Sequence, residues 1–557
     1  MIHLVLCWHF HQPDYRTEEG QYFLPWTYLH ALKDYSDMAS HLEANPEMQA
    51  VVNFVPTLVE QLDDYVEQFR SGNVRDAVLA GLINPELDRM NAGAREKLIA
   101  DCFRLNFQTM LDPFPGYVRL RKIWQALKDA EDEGLDYLSG QYLADLVTWY
   151  HLAWTGETLR REHTWLLAMM EKGSNYTLEE RQQLFRLIGE VMADLLPRYR
   201  ALAERGQIEL STTPHSHPIG PLLLDFKTAR EARPELPLPA SKGYPGGEPR
   251  FRVHIDTARD MHVEHFGKSP QGYWPAEGSV SAPVLAMFSK AGIRWAASGE
   301  GVLRHSLNSA GLDDENVADW LYHPCRLPGQ STACFFRDDY LSDLVGFEYK
   351  GWFAADAVRH FVHKLEEHAC RSDHPDPVVS VILDGENAWE YYSYNGWYFL
   401  SEVYQALTEH PDIHVTTFSE YLDMFPKAVE KLPTLTAGSW VYGDFTTWMG
   451  DAAKNRAWDL LCEAKIAYDQ RMAAGTLPED VVREAELRLR SCESSDWFWW
   501  FGDYNPGDSV QAFDELYRTK LKGLYRILSL PTPENLDVAL CKGGGVAESG
   551  GTMRRGN

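Results

Sequence analysis

The stretch HLVLCWHFHQP, residues 3–13, is a continuous apolar run that ends abruptly at His9, His11 and Gln12. Apolar and polar residues do not alternate along it, which is typical of a strand buried on both faces of a parallel sheet. No basic segment precedes the run, so we interpret it as a buried strand and not as a signal peptide.

Runs of the same kind recur along the chain, separated by segments with helical periodicity. They are QAVVNFVPT (49–57), QIELSTTPHSHP (207–218), GYWPAE (272–277), IRWAASGE (293–300), ACFFRDD (333–339) and VVSVILDGEN (378–387), with IHVTTFSEY (413–421) as a further candidate. Repeated strand–helix units with seven or eight strands predict an α/β fold in which the parallel sheet closes into a barrel.

Three other regions differ from this pattern. Residues 60–205 are helical in pattern and poor in strand signals, which predicts a helical insertion in a catalytic barrel that spans 1–425. Amphipathic helices dominate 426–535 and predict an all-α C-terminal region. The segment 536–557 is rich in glycine and lacks apolar periodicity, so we expect a flexible tail.

Charge and composition exclude several classes of partner. The formal net charge of −28 argues against nucleic acid, since phosphate binding normally requires a basic face. No polybasic segment is available for anionic lipid, and no run of about 18 apolar residues is long enough to span a membrane. The eight cysteines show no close pairing, which favours reduced thiols and a cytoplasmic location. The sequence makes no prediction of oligomeric state.

The carboxyl ends of the predicted strands carry the candidate chemistry. In α/β barrels these ends meet at one mouth, so Glu277 and Asp384 are expected to face each other across a cleft. Cleavage of a glycosidic bond requires such a pair, because one carboxylate attacks or stabilises the anomeric carbon while the other protonates the leaving oxygen. Glu386 follows Asp384 by two residues and is a second candidate for the acid or for a supporting group.

An ordered set of motifs resembles glycoside hydrolase family 57, and in particular its amylopullulanase and α-amylase-like branch. The motifs are HFHQP, GQIEL with TPHSHPIGPLL, GYWPAEGSVS, VILDGENAWE, SWVYGDFTTWMGDAAKNRAW and SDWFWWFGDYNP. The resemblance covers about 1–530. It implies a (β/α)7-type distorted barrel, a helical C-terminal region that completes the active-site cleft, and a retaining mechanism on α-glucans such as starch, glycogen and maltooligosaccharides.

The resemblance also implies roles for single residues. Glu277 matches the nucleophile and Asp384 the general acid/base, while His11 and a histidine of TPHSHP match contacts to sugar hydroxyls. In several relatives a proline directly precedes the nucleophile, whereas here Ala276 stands between Pro275 and Glu277.

Further residues are candidates for substrate binding because they flank these motifs. They are His9, His11, Gln12, His215, His217, Trp274, Glu386, Trp440, Trp448 and Asp451. The stretch DWFWWFGD (496–503) is interpreted as a core between helices and barrel in preference to a stacking platform for sugars.

The leading hypothesis is therefore a retaining glycoside hydrolase that acts on α-glucosidic linkages and needs no cofactor or metal. A 4-α-glucanotransferase or a branching enzyme on the same scaffold is an alternative. Because HFH and HSH each place two histidines on one strand face, a metal-dependent polysaccharide deacetylase is a second alternative. A non-catalytic glucan-binding protein is a third.

Overall fold

The computed structural model describes residues 1–128, 137–312 and 317–545. Within these ranges the strands form one continuous sheet. In chain order they are β1 (Ile2–Phe10), β2 (Ala50–Phe54), β3 (Ile208–Thr212), β4 (Gly272–Tyr273), β5 (Trp295–Gly299), β6 (Cys325–Arg326), β7 (Ala333–Arg337), β8 (Val378–Asp384), β9 (Ile413–Val415) and β10 (Glu430–Lys431).

Seven of these strands close into a parallel barrel. β1, β2, β3, β4, β5, β7 and β8 are neighbours in that order, and β8 pairs with both β7 and β1. Arg337 is the Cα partner of Ser380 at the β7–β8 closure, and His9 is the partner of Asp384 between β1 and β8. The predicted α/β class and (β/α)7-type barrel are confirmed.

The other three strands lie outside the ring. β9 pairs with the start of β1, while β6 lies antiparallel to β7 and β10 extends the sheet from β6. Along β1 every residue after Ile2 is buried, because helices cover the outside of the barrel and side chains fill its interior. The uniform apolar character of this strand therefore follows from its position.

Helices occupy most of the chain between β1 and β3. They are α1 (Trp26–His30), α2 (Ser36–Ala44), α3 (Pro56–Ser71), α4 (Ala77–Ile83), α5 (Ala92–Asp101), α6 (Phe107–Met110), α7 (Pro115–Lys128), α8 (Gly140–Ala153), α9 (Glu157–Glu162), α10 (Thr164–Lys172) and α11 (Leu178–Glu204). A π-helical turn, Ala31–Tyr35, joins α1 to α2. Thr177 and Glu180 form a reciprocal capping box that begins α11.

The remaining helices cover the rest of the barrel and form the C-terminal region. Those on the barrel are α12 (Gly220–Leu224), α13 (Ala229–Ala232), α14 (Gly247–Phe266), α15 (Ala282–Lys290), α16 (Glu300–Ala310), α17 (Val317–Leu321), α18 (Asp339–Asp343), α19 (Ala354–Ala369), α20 (Trp397–Glu409) and α21 (Phe418–Met424). The C-terminal helices are α22 (Ala452–Ala473), α23 (Glu479–Cys492), α24 (Asp496–Trp500) and α25 (Gly507–Ile527). No helix in the described parts of the chain combines the length and apolar character that a bilayer crossing requires.

A buried ion-pair cluster joins the C-terminal helices to the barrel. Glu493, directly after α23, accepts two hydrogen bonds from the Arg250 guanidinium of α14, at 2.8 and 2.7 Å. His254, one turn further along α14, lies 2.8 Å from the same carboxylate through Nε2. Burial alone would raise the pKa of Glu493, but Arg250 and His254 hold it far below its ordinary value. This carboxylate is therefore charged and fully paired across the junction.

Part of the predicted tail is docked. The Leu540 amide donates to Asp514 of α25, and the Gly544 and Gly545 amides donate to the Asn505 carbonyl. These bonds hold Leu540, Gly544 and Gly545 against the C-terminal helices, and the predicted flexibility of 536–557 stays a prediction. Residues 546–557 lie outside the described ranges. The domain boundaries near 425 and 535 stay predictions.

Replacing Glu493 with glutamine should lower the free energy of unfolding by about 3 kcal/mol, because the buried Arg250 guanidinium loses its fully buried carboxylate and keeps only its pair with the partly exposed Glu486. The matched control is Glu484→Gln, which breaks a partly exposed Glu484–Arg488 pair on the same helix and should cost less than about 1 kcal/mol. Urea unfolding followed by tryptophan fluorescence measures both.

The same pair predicts a pH dependence. Because the folded state lowers the pKa of Glu493 from 4.5, its stabilisation is complete above pH 4.5 and is lost as the pH falls below it. Equal unfolding midpoints for Glu493→Gln and the wild type at pH 7 would contradict this account of the junction.

Candidate active site

A cleft of about 540 Å³ opens at the carboxyl ends of the barrel strands. The predicted site residues that line it are His9, His11, Gln12, His217, Glu277, Asp384, Glu386 and Trp440. They come from β1, β4, β8 and the loops after β3 and β10, so barrel closure brings together residues that are far apart in sequence.

Glu277 is held in an unusual backbone conformation. It lies in a single 3₁₀ turn, Ala276–Gly278, directly beyond β4, and has φ 56° and ψ 28°. A non-glycine residue in this left-handed region carries strain of about 1–3 kcal/mol, which the surrounding contacts must offset. Trp440 makes two of these contacts, because its amide donates to the Glu277 carbonyl and its indole N–H donates to Glu277 Oε2, both at 3.0 Å. The carboxylate is thereby aimed from a fixed backbone.

Asp384 is the last residue of β8 and has a different environment. Its Oδ2 accepts a hydrogen bond of 3.0 Å from the Asn387 side chain. Desolvation by the surrounding protein raises the pKa of Asp384, while the Asn387 hydrogen bond and the charges of His11 and Arg337 oppose the rise. This carboxyl group therefore keeps its proton to higher pH than a free aspartic acid does.

Glu386 is a second carboxyl group on the same wall. Its side chain is buried, and among the described residues Oε2 has no hydrogen-bond partner. Burial raises the pKa of Glu386 well above its ordinary value, and the nearby Asp384 and Asp34 charges add to the rise. Glu386 thus keeps its proton to higher pH than a free glutamic acid does, and it presents an unpartnered oxygen at the cleft.

Three histidines form a stack on the cleft floor. The rings of His11 and His217 lie 3.9 Å apart, centroid to centroid, at 18°, and His9 lies 5.2 Å from His217. The Nε2 atoms of His9 and His217 are 3.2 Å apart. Burial, followed by the charge of His11, lowers the pKa of His9 to about 3. The pKa of His217 falls well below its ordinary value for the same reasons. Both rings are therefore neutral at pH 7.

The C-terminal region contributes directly to this stack, which the sequence did not predict. Asp496 Oδ1 lies 2.8 Å from His11 Nε2, and Ser495 Oγ lies 2.7 Å from His217 Nδ1. Both residues belong to the stretch SSDWFWW. The polar SSD triplet at its start was the available signal, but nothing in the sequence connects it to histidines 485 and 278 positions away.

The same stretch divides between core and cleft. Trp497 and Phe498 are fully buried, as predicted for a core, whereas Trp499 and Trp500 line the cleft. The other cleft residues that the sequence did not single out include Trp26, His30, Arg104, Trp154, Glu390, Tyr391 and Phe513.

Arg337 at the end of β7 is a further residue of the cleft that the sequence did not identify. Its guanidinium donates to the Ile382 carbonyl at 2.8 Å and to Asp339 at 2.6 Å, and it lies 5.5 Å from the centre of the Trp440 ring. Burial raises the pKa of Asp339 to about 7, although Arg337 opposes the rise. Arg337 is thus a buried cation between the Trp440 ring and the Asp384 strand.

His215 does not lie in the cleft, although HSH was predicted to place both histidines on one face. β3 ends at Thr212, and the left-handed φ values of Ser216 and His217, 60° and 55°, break the strand geometry. His215 Nε2 consequently turns away to Glu60, 2.9 Å distant. His215 is therefore not among the residues that line the cleft, and its part in substrate binding stays a prediction.

Three other predicted binding residues also lie outside the cleft lining. Trp274 is fully buried beneath it, between the rings of His9 and Trp440. Trp448 is fully buried in the C-terminal region, and Asp451 caps the first turn of α22 by accepting from the Ala453 amide. Packing or capping involves each of these residues, and their parts in substrate binding stay predictions.

Within the described residues, His11, His217 and Asp496 form the one group whose atoms are close enough to hold a metal ion, at 4.8 Å or less from one another. The face-to-face stack of the two imidazoles makes their in-plane lone pairs nearly parallel, so they do not converge on one point. The arrangement therefore fits a hydrogen-bonded cluster better than a tetrahedral zinc site.

Comparison with known proteins identifies the family. The model of glycosyl hydrolase family 57 matches residues 5–433, and the chain belongs to this family. A curated relative, the 4-alpha-glucanotransferase of Thermococcus litoralis, is 26% identical over 257 residues, which cover 45% of this chain and 33% of that protein. The match thus spans about a third of the relative's length.

Solved structures share the fold. The branching enzyme of Pyrococcus horikoshii superposes with a TM-score of 0.56 at 15% identity, covering 98% of each chain. The α-amylase AmyC of Thermotoga maritima superposes with a TM-score of 0.56 at 14% identity, covering 94% of this chain and 92% of that one. The resemblance to family 57 drawn from the motifs is confirmed.

Proposed function

We propose that this protein cleaves α-glucosidic linkages of α-glucans by a retaining double displacement, with Glu277 as nucleophile and Asp384 as general acid/base. The placement of these two carboxyl groups is the main support for this proposal. Glu277, directly beyond β4, and Asp384, at the end of β8, line the same cleft. Burial raises the pKa of Asp384, which suits an acid, while the Trp440 indole N–H donates to the Glu277 carboxylate, which suits an anion.

The contacts of Glu277 support the nucleophile role. The Trp440 indole N–H donates to one carboxylate oxygen, while Oε1 lies 4.0 Å from His217 Nδ1. A hydrogen bond to an anionic oxygen favours the charged form, and the strained turn fixes the direction of attack. The hydrogen bond and the strained turn thus suit this carboxylate to attack an anomeric carbon in the cleft.

The surroundings of Asp384 support the acid/base role. Its raised pKa keeps a proton available for the departing glycosidic oxygen, and the cleft gives that proton a path to substrate. Formation of the glycosyl ester removes the negative charge of Glu277, which lowers the pKa of Asp384 and lets it act as base toward the incoming hydroxyl.

Aromatic rings from two parts of the chain support an extended glucan as substrate. Trp26 comes from the region between β1 and β3, and Trp499 and Trp500 come from α24; all three side chains are partly exposed. Flat rings stack on the C–H faces of sugars. Because the cleft offers stacking surfaces from two parts of the chain, a second glucan can compete with water as acceptor. This feature favours 4-α-glucanotransferase or branching activity as the second candidate function.

The other hypotheses make distinct predictions. A metal-dependent deacetylase would bind zinc at His11, His217 and Asp496 and lose activity with a chelator, and a glucan-binding protein would bind without turnover. We also propose that the protein belongs to the amylopullulanase and α-amylase-like branch of the family, which cleavage of pullulan would support. A cytoplasmic location is proposed as well.

Glu277→Gln should abolish turnover of maltoheptaose while leaving the melting temperature within a few degrees of the wild type, since the amide cannot attack the anomeric carbon. Chromatography of the products measures this. Shorter products alone from the wild type indicate hydrolysis, and longer ones as well indicate transfer. The control is Glu264→Gln on the exposed face of α14, which should retain full activity. Substantial turnover by Glu277→Gln would exclude Glu277 as nucleophile.

Asp384→Asn should reduce turnover of maltoheptaose by about 10²–10⁴-fold, the usual contribution of general acid–base catalysis. α-Maltosyl fluoride needs no proton on its leaving group, so the same variant should still release an initial burst of fluoride. A fluoride electrode and product chromatography follow the two reactions. If Asp384→Asn lost both reactions equally, or if Glu386→Gln alone gave the selective loss, the acid would have to be reassigned.

A further inference from the structure

Ser495, in the turn before α24, makes two hydrogen-bond contacts with His217. Its Oγ lies 2.7 Å from His217 Nδ1, and its amide donates to the His217 carbonyl at 2.9 Å. Both side chains are almost completely buried. The bridge joins the turn before α24 to the loop after β3, beside Glu277.

The hydrogen bonds beyond His217 fix its tautomer. His9 Nδ1 lies 2.7 Å from the Asn53 amide oxygen, which also accepts from the Thr213 hydroxyl at 3.0 Å. The Asn53 nitrogen donates to Ser211 at 3.0 Å, so the amide is oriented and His9 carries its proton on Nδ1. A neutral His9 then has a lone pair on Nε2.

The direction of the chain follows step by step. Because His9 Nε2 is an acceptor 3.2 Å from His217 Nε2, His217 must donate from that nitrogen. His217 Nδ1 is left with a lone pair, and the Ser495 hydroxyl donates to it. The chain therefore runs from Ser495 through His217 and His9 to Asn53, with one proton in each link.

The direction of these hydrogen bonds affects the proposed nucleophile, because His217 Nδ1 lies beside Glu277. The atom lies 4.0 Å from Glu277 Oε1. A proton on Nδ1 would place an N–H or an imidazolium charge against the carboxylate. A lone pair there, occupied by the Ser495 hydroxyl, leaves the carboxylate its full negative charge.

We propose that Ser495 is a positioning residue: its hydroxyl holds His217 as the Nε2–H tautomer, and so prevents His217 from neutralising Glu277. The inference rests on the proposed role of Glu277 as nucleophile. It assigns to the C-terminal region a part in the chemistry as well as in the shape of the cleft.

The groups that face His217 all bear on this balance. His9 and His11 pack against it from β1 and its end, Glu277 from the turn after β4, and Ser495 and Asp496 from the start of α24. Burial and the two histidines oppose a charge on His217. A carboxylate such as Glu277, 4.0 Å from Nδ1, favours one. Removal of the Ser495 hydroxyl takes away the hydrogen-bond donor to Nδ1. The Glu277 carboxylate then favours a proton on this nitrogen, which raises the pKa of His217.

The pH profile of kcat/KM tests the proposal. Ser495→Ala should move the acid limb up by about one pH unit, the equivalent of one neutral hydrogen bond, while activity at the alkaline end approaches that of the wild type. Ser495→Thr keeps a hydroxyl and should restore the wild-type profile. Ser306→Ala, which removes a buried hydroxyl from α16, is the control and should leave the profile unchanged. A uniform loss at every pH, or an unchanged profile, in Ser495→Ala would overturn the proposal.

A second measurement needs no activity. Two-bond ¹⁵N–¹H spectra of protein labelled with ¹⁵N-histidine report the tautomer, and loss of a signal in His217→Gln assigns it. The wild type should show His217 protonated at Nε2 alone near pH 7, and a proton on Nδ1 would refute the proposal even if no variant folds well. Turnover by Glu277→Gln would instead refute the proposed nucleophile and leave the tautomer result standing.

Discussion

Closure of the barrel between β7 and β8 is the constraint on which the site depends. The pairing of Arg337 with Ser380 brings the seventh strand back to the first, so that His9 and Asp384 become direct neighbours. In an open sheet β4 and β8 would lie apart, and Glu277 would face solvent instead of a cleft. The parallel direction of the strands then places all their carboxyl ends at one mouth, where irregular backbone can aim a side chain without disturbing the core.

The barrel alone does not complete this site. Trp440, beyond the last barrel strand, fixes both the backbone and the carboxylate of Glu277. Ser495 and Asp496 hold the two histidines that lie beside it. The C-terminal helices are in turn held to the barrel by the buried pair of Arg250 and Glu493. A change that loosens this junction therefore acts on catalytic geometry as well as on stability, because Glu493 lies only two residues before Ser495.

Much of the fold was predictable, because buried parallel strands have a continuous apolar pattern that a single sequence reveals. Glu277 and Asp384 were predictable from their positions at strand ends. His215 was not, since the left-handed residues after β3 rotate it away from the cleft, and backbone irregularity of this kind leaves little trace in sequence. Ser495 and Asp496 were missed because their contacts are purely tertiary, between segments whose separation along the chain gives no pattern to recognise.

The electrostatics of the cleft separate the two reacting groups. The neutral His217 ring and the Trp440 indole N–H lie beside the Glu277 carboxylate, while burial raises the pKa of Asp384, so the two groups suit the roles of nucleophile and acid. The most direct test is to incubate Asp384→Asn with α-maltosyl fluoride and map the modified peptide by mass spectrometry. The account predicts a maltosyl adduct on the peptide that contains Glu277. An adduct on the peptide that contains Glu386, or fluoride release without any adduct, would contradict it.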